Sequence, residues 1–178
     1  MKVCIDPGHS GVCEPGACAE TFREAEINMK ISRIIAKLLI KRGYEVILTR
    51  NGDIENDGLS WRAEIANQAE ADIFISIHCN SAGSLKANGT ETWYFEDSCN
   101  GLSLARSIQR SIVTATSTTD RGVKATKALT VLNKTTCPAV LVELAFLSNP
   151  DDRIILTDVL LRRQFAVGVV DGIEAWVA

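Results

Sequence analysis

The sequence predicts a single α/β domain, residues 1–178, built on a twisted, mixed but mostly parallel sheet of about six strands with helices on both faces. Three observations carry this. Short apolar runs rich in β-branched residues recur along the chain at Val3–Ile5, Tyr44–Leu48, Ile73–Ile77 and Ala139–Val142. Helical periodicity separates them near 22–42, 59–70 and 101–115. The runs are too uniformly apolar for a sheet wetted on one side, so both faces must be covered.

In chain order, the first strand stops at Asp6-Pro7-Gly8, because proline removes a backbone donor and glycine permits a tight reversal. The first helix follows a glycine-containing loop. Its stripe Ile27, Ile31, Ile34 and Leu38 faces the sheet, while Glu26, Lys30, Arg33 and Lys37 face solvent. Two weaker strand candidates, Thr90–Phe95 and Leu129–Leu132, are expected to be antiparallel or at an edge. Asn149-Pro150-Asp151 turns into a short helix, and Leu160, Leu161, Phe165, Val169, Ile173 and Trp176 repeat at the spacing of a last, core-packed helix.

The 178 residues, 46% of them apolar, suffice for one core. A net charge of −3 with scattered basic residues argues against a nucleic-acid partner. No run is long enough to insert into a membrane, and with the first strand beginning at Lys2 no signal peptide is expected within these residues. The six cysteines lack the C-x-x-C spacing of structural zinc. They are expected to be free thiols, with a Cys13–Cys18 disulfide in the loop after His9 as the exception to test.

The two histidines, His9 and His78, each fall at or just past the C-terminal end of a predicted strand, the edge where open α/β sheets collect ligands. Either one alone reads as structural; two at one edge point to a site. Zinc in hydrolytic sites commonly takes two histidines and a carboxylate. Helical phase selects Glu24, on the sheet-facing stripe, over Glu26, which an i,i+4 pair with Lys30 explains. Thr21-Phe22-Arg23-Glu24 also matches a capping box, a competing explanation for Glu24.

Glu143 ends the apolar run Pro138–Val142, where a partly buried carboxyl has the raised pKa of a general base or acid; a loop-bonding structural carboxylate is the alternative. Asn80 is a candidate substrate-binding residue or a turn former. Arg50 and Arg62 read as structural ion-pair partners. Strand alternation turns Cys79 away from His78, which disfavours a cysteine nucleophile.

With these residues in place, the sequence resembles the zinc-dependent N-acetylmuramoyl-L-alanine amidases of the type-3 amidase family. The motifs are IDPGHSG at 5–11, Glu24 opening a helix, LTR at 48–50, SIHCNS at 76–81, GTETWYF at 89–95 and PAVLVELAFLSNPDD at 138–152. Ser10, Cys79 and the pair Leu144-Ala145 depart from the family's usual residues, none at a proposed ligand. The resemblance implies that His9, Glu24 and His78 hold Zn2+ and that Glu143 is the catalytic glutamate. The implied reaction is hydrolysis of the amide between the lactyl group of N-acetylmuramic acid and L-alanine of the peptidoglycan stem peptide.

Relatives with a helical plug over the zinc are inhibited until a partner moves it; the short connections after Asn80 and Phe95 imply an open site here. A monomer acting on the cell wall is expected, made in the cytoplasm and released by lysis or belonging to a larger exported protein with a separate wall-binding module. Two competing readings share the scaffold: a zinc amidohydrolase of soluble muramyl peptides, and a non-catalytic peptidoglycan-binding domain.

Overall fold

In the computed structural model, residues 1–54 and 58–178 are described. Six strands form one sheet: β1 (Lys2–Pro7), β4 (Glu45–Leu48), β5 (Ile73–Asn80), β6 (Thr90–Phe95), β7 (Asp120–Thr126) and β8 (Ala139–Phe146). A two-stranded hairpin, β2 (Cys18–Ala19) with β3 (Phe22–Arg23), stands apart from it. The spatial order is β4-β1-β5-β8-β6-β7. β4, β1, β5 and β8 are mutually parallel, and β6 turns the sheet mixed by pairing antiparallel with β8 while β7 follows β6 in parallel.

The helices are α1 (Glu24–Lys41), α2 (Leu59–Gln68), α3 (Cys99–Thr116), α4 (Thr130–Lys134), α5 (Pro150–Thr157) and α6 (Leu161–Val177). Alternation along the central strands sends Val3, Ile5, Ile73, Ile75, Ile77, Val140 and Val142 to one core with α1, α3 and α6. Cys4, Phe74, Ala139 and Leu141 go to a smaller core with Ala66 of α2 and Val131 and Leu132 of α4. Helices on both faces are what the uniformly apolar strands demand.

Three expectations need correction, and one strand lies outside the sequence reading. Leu129–Leu132 is not a strand: Leu132 and Asn133 both donate to the Leu129 carbonyl, and the turn this closes starts α4. A four-residue apolar run suits either form, and here burying Val131 and Leu132 under the sheet decides it. β7 escapes sequence reading because DRGVKAT is largely polar and partly exposed, as an edge strand can be. Leu160 does not join the core stripe; it precedes α6 and is exposed. The capping box is absent: α1 begins after Arg23 with no side-chain cap, because Phe22-Arg23 pairs in the hairpin and the oxygens of Glu24 are engaged elsewhere.

All six cysteines are free thiols, including Cys13 and Cys18. No helix among the described residues is long and apolar enough to cross a membrane.

Candidate metal and catalytic site

The turn after β1 is built from below. Buried Asp6 accepts hydrogen bonds from Thr49 Oγ1 (2.5 Å), Arg62 Nη1 (2.6 Å) and Ser76 Oγ (2.6 Å), so its charge is met on three sides. Arg62 also donates to the carbonyls of Pro7 (2.9 Å) and His9 (2.8 Å). Arg50 donates to those of Pro7 (2.8 Å), Gly8 (2.9 Å) and Ala25 (2.9 Å). The two arginines are thus structural, gathering carbonyls that the reversing chain turns inward and tying them to the start of α1.

His9 takes a left-handed backbone (φ 63°), a conformation that costs a non-glycine residue energy and needs such support. Gly8 leaves room for the second histidine: a Cβ there would stand 2.3 Å from the His78 ring. Gly16, itself left-handed (φ 69°), does the same for His9 and Glu24, since a Cβ would lie 2.4 Å from one and 2.6 Å from the other.

Glu24 joins the histidines. Its Oε2 lies 3.0 Å from His9 Nε2 and its Oε1 3.0 Å from His78 Nδ1, and the imidazole rings meet edge to face at 4.9 Å. Backbone N–H groups of Ala17 (2.8 Å) and Cys79 (3.0 Å) donate to the same carboxylate and fix it. One donor atom from each of His9, Glu24 and His78 lies within 4.8 Å of the others, the one such group of three found among the described residues. Two imidazoles and a carboxylate with their donor atoms gathered in this way suit zinc. His9 Nδ1 contacts Glu14 Oε1 at 2.8 Å, the carboxylate-to-histidine arrangement that orients a metal-binding imidazole.

With only protein charges present, burial disfavours the imidazolium of His9, but the Glu24 and Glu14 carboxylates outweigh it and push the pKa up to about 9. Burial likewise opposes ionisation of Glu24, and hydrogen bonds from His78 and His9 overcome it, holding the carboxyl well below the usual range. The cluster therefore stabilises negative charge on Glu24 and positive charge beside it, the polarity a cation would exploit.

Glu143 pairs in register with His78 on one side and with Glu91 on the other. Its Oε2 is sealed from solvent without a hydrogen-bond partner. Burial, reinforced by the charges of Glu24 and Glu91 and opposed by the histidines, pushes its pKa up to about 7. A carboxyl that titrates near neutrality can both take and return a proton. Asn80 donates to Glu91 Oε1 (3.3 Å) and accepts from the Ser81 N–H (2.8 Å), so it is at once a turn residue and part of the polar row. Asn80, Glu91, Trp93, Leu129 and Glu143 line a cavity of about 270 Å³. Larger cavities, about 530 Å³ beside α1 and about 420 Å³ beside Cys99 and Cys137, contain neither a histidine nor a glutamate.

Glu26 keeps to solvent, 3.8 Å from Lys30, as helical phase predicts. Cys79 is buried against Asn28, and burial followed by the charges of Glu24 and Glu143 raises its thiol pKa well above normal, so no thiolate is offered. Sequence reasoning misses Glu14 and Glu91. The clue to Glu14 is its place in the same tight loop as His9. The clue to Glu91 is strand alternation beside Trp93, with basic residues 30 and 33 positions later that only the sheet order brings close.

A family model described as N-acetylmuramoyl-L-alanine amidase matches residues 3–175. The N-acetylmuramoyl-L-alanine amidase LytC of Bacillus subtilis (strain 168) is 36% identical over 172 residues, 96% of this chain, which spans only 34% of LytC. The crystal structure of an N-acetylmuramoyl-L-alanine amidase from Clostridium difficile 630 superposes with a TM-score of 0.93 at 32% identity, covering 99% of this chain and 96% of that one. The catalytic domain of the amidase CwlV from Bacillus (Paenibacillus) polymyxa var. colistinus gives 0.92 at 33% identity, covering 99% and 97%.

Proposed function

Because the chain belongs to the N-acetylmuramoyl-L-alanine amidase family, we propose that residues 1–178 form a catalytic domain that hydrolyses the amide between the lactyl group of N-acetylmuramic acid and L-alanine of the peptidoglycan stem peptide. His9, Glu24 and His78 would hold Zn2+, and Glu143 would move the proton. The observation that carries this reading is the convergence of the three donor atoms beside a carboxyl that faces them from the next strand with one oxygen unpartnered.

Bound there, zinc would polarise the scissile carbonyl and acidify the attacking water. The chain's own groups do the rest. Glu143, ionised above its pKa, takes a proton from the water through the carboxylate oxygen that no protein donor occupies. Once protonated, it returns that proton to the departing alanine nitrogen, so the amine leaves neutral. Glu14 holds the His9 ring so that Nε2 stays turned toward the cluster. Asn80, which donates to Glu91 and lines the cavity with Glu143, would hydrogen-bond the substrate.

The site is proposed to be open and to need no activator, since the connection 81–89 contains no helix that would cover it. A monomer acting at the cell wall completes the reading.

Mass spectrometry of purified peptidoglycan digested by the zinc-loaded protein tests it. The expected products are stem peptides with a free N-terminal L-alanine and glycan with free lactyl carboxyls, abolished by a zinc chelator. Cleavage of a glycosidic or peptide bond instead, or no cleavage by the loaded protein, would overturn it.

A further inference from the structure

The polar row does not end at Glu143. Cross-strand partners share a sheet face, so His78 on β5, Glu143 on β8 and Glu91 on β6 form one line. The next strand continues it with two cations. Arg121 Nε lies 2.6 Å and Lys124 Nζ 2.7 Å from the same oxygen, Glu91 Oε2. Glu91 is buried, while each cation's side chain stays 34% exposed.

Both are held in place from below. The Arg121 guanidinium lies 4.8 Å from the centre of the Phe146 ring, and the Lys124 ammonium 5.2 Å from that of Trp93. Asp120 does not neutralise them, because it is turned to Gln109 and Gly122. Glu143, the other acid on this line, lies one strand further from the cations, in register with Glu91. Two cations on one carboxylate leave a surplus positive charge at the sheet edge.

We propose that Arg121 and Lys124, held by Glu91, form a subsite for a carboxylate carried by the second or third residue of the stem peptide. This rests on the amidase reading above. The reach agrees: two strand separations from β8 to β7 span roughly 10 Å, and an extended peptide covers about 3.5 Å per residue, so about three residues bridge them. Charge-assisted bonds from a guanidinium and an ammonium to one carboxylate are the strong, directional kind. Blunting an exposed edge strand needs only scattered charge and gives no reason for two cations to converge on one buried oxygen.

The test uses zinc-loaded protein and two probes, N-acetylmuramoyl-L-alanyl-γ-D-glutamyl-L-lysine with both peptide carboxylates free, and the same compound with both as carboxamides. The wild type is expected to prefer the free acid. In Arg121→Ala and Lys124→Ala, kcat/KM is expected to fall at least about ten-fold further on the free acid than on the amide, through KM. Lys124→Glu is expected to reverse the preference. Zinc content and circular dichroism verify folding, with Lys124→Gln replacing any variant that fails.

Equal losses on both probes would mean that the cations are merely structural, and a wild type indifferent to amidation would exclude the subsite while leaving the amidase reading intact. A wild type that cleaves neither probe nor peptidoglycan would sink both.

Discussion

One face of this sheet holds two environments built from the same strands. Toward one end, Cys4, Phe74, Ala139 and Leu141 pack under Ala66, Val131 and Leu132. A pleat or two further along, those strands present Asp6, Ser76, His78 and Glu143 instead. The apolar half is stabilised without direction, at about 1.5–3 kcal/mol for each large side chain buried. The polar half has little such gain and depends on each charge finding its partner, as Asp6 does in Arg62 and Glu24 in the two histidines. The contrast teaches that the apolar half can position the site without determining its chemistry, so stability and metal binding should separate on mutation.

The largest effects test that separation directly. Phe74→Ala and Arg62→Ala are each expected to cost about 3–5 kcal/mol in urea unfolding, one by opening a cavity and the other by leaving Asp6 charged and buried without its cation. Only Arg62→Ala should also weaken zinc binding of the folded protein, because it releases the His9 carbonyl. Equal zinc affinities would erase the distinction between the two halves. Next, Glu14→Ala should lower zinc affinity about 10–100-fold with little change in stability, read by chelator competition.

The smallest effect is pH-dependent and of opposite sign. In metal-free protein, Glu143→Gln should stabilise the fold at pH 8 by about 1–2 kcal/mol, scaled down for the partial exposure of the group, and leave it unchanged at pH 4. The folded pKa of about 7 lies above the ordinary 4.5, so wild-type stability falls as pH rises from the lower value through the higher, where a buried carboxyl must ionise. The amide variant escapes that loss. A stability difference that does not change between pH 4 and pH 8 would place Glu143 in a solvated environment.

Much of this was legible because burial leaves strong marks. Strands covered on both faces read as unbroken β-branched runs, and helical phase separates Glu24 from Glu26 cleanly since one turn distinguishes core from solvent. His9 and His78 were legible by their common place at strand ends. What stayed hidden is held by non-local bonds. Asp120–Thr126 is a strand only because β6 offers it an edge, and α4 is a helix only because the sheet buries Val131 and Leu132. Glu24 matched a capping box, yet Cys79 and Ala17 N–H groups and the histidines compete for its oxygens and win. Glu91 and its two cations meet only after β6 reverses direction beside β8.

The proposed roles divide the labour: His9, Glu24 and His78 would hold the metal and Glu143 would move the proton. Glu143→Ala, measured for bound zinc by elemental analysis and for amide cleavage by mass spectrometry of the same preparation, tests this division most directly. The account predicts zinc retained at one ion per chain and turnover reduced by about 10²–10⁴-fold. A variant that cleaves the amide at the wild-type rate, or one that loses zinc along with activity, would contradict it.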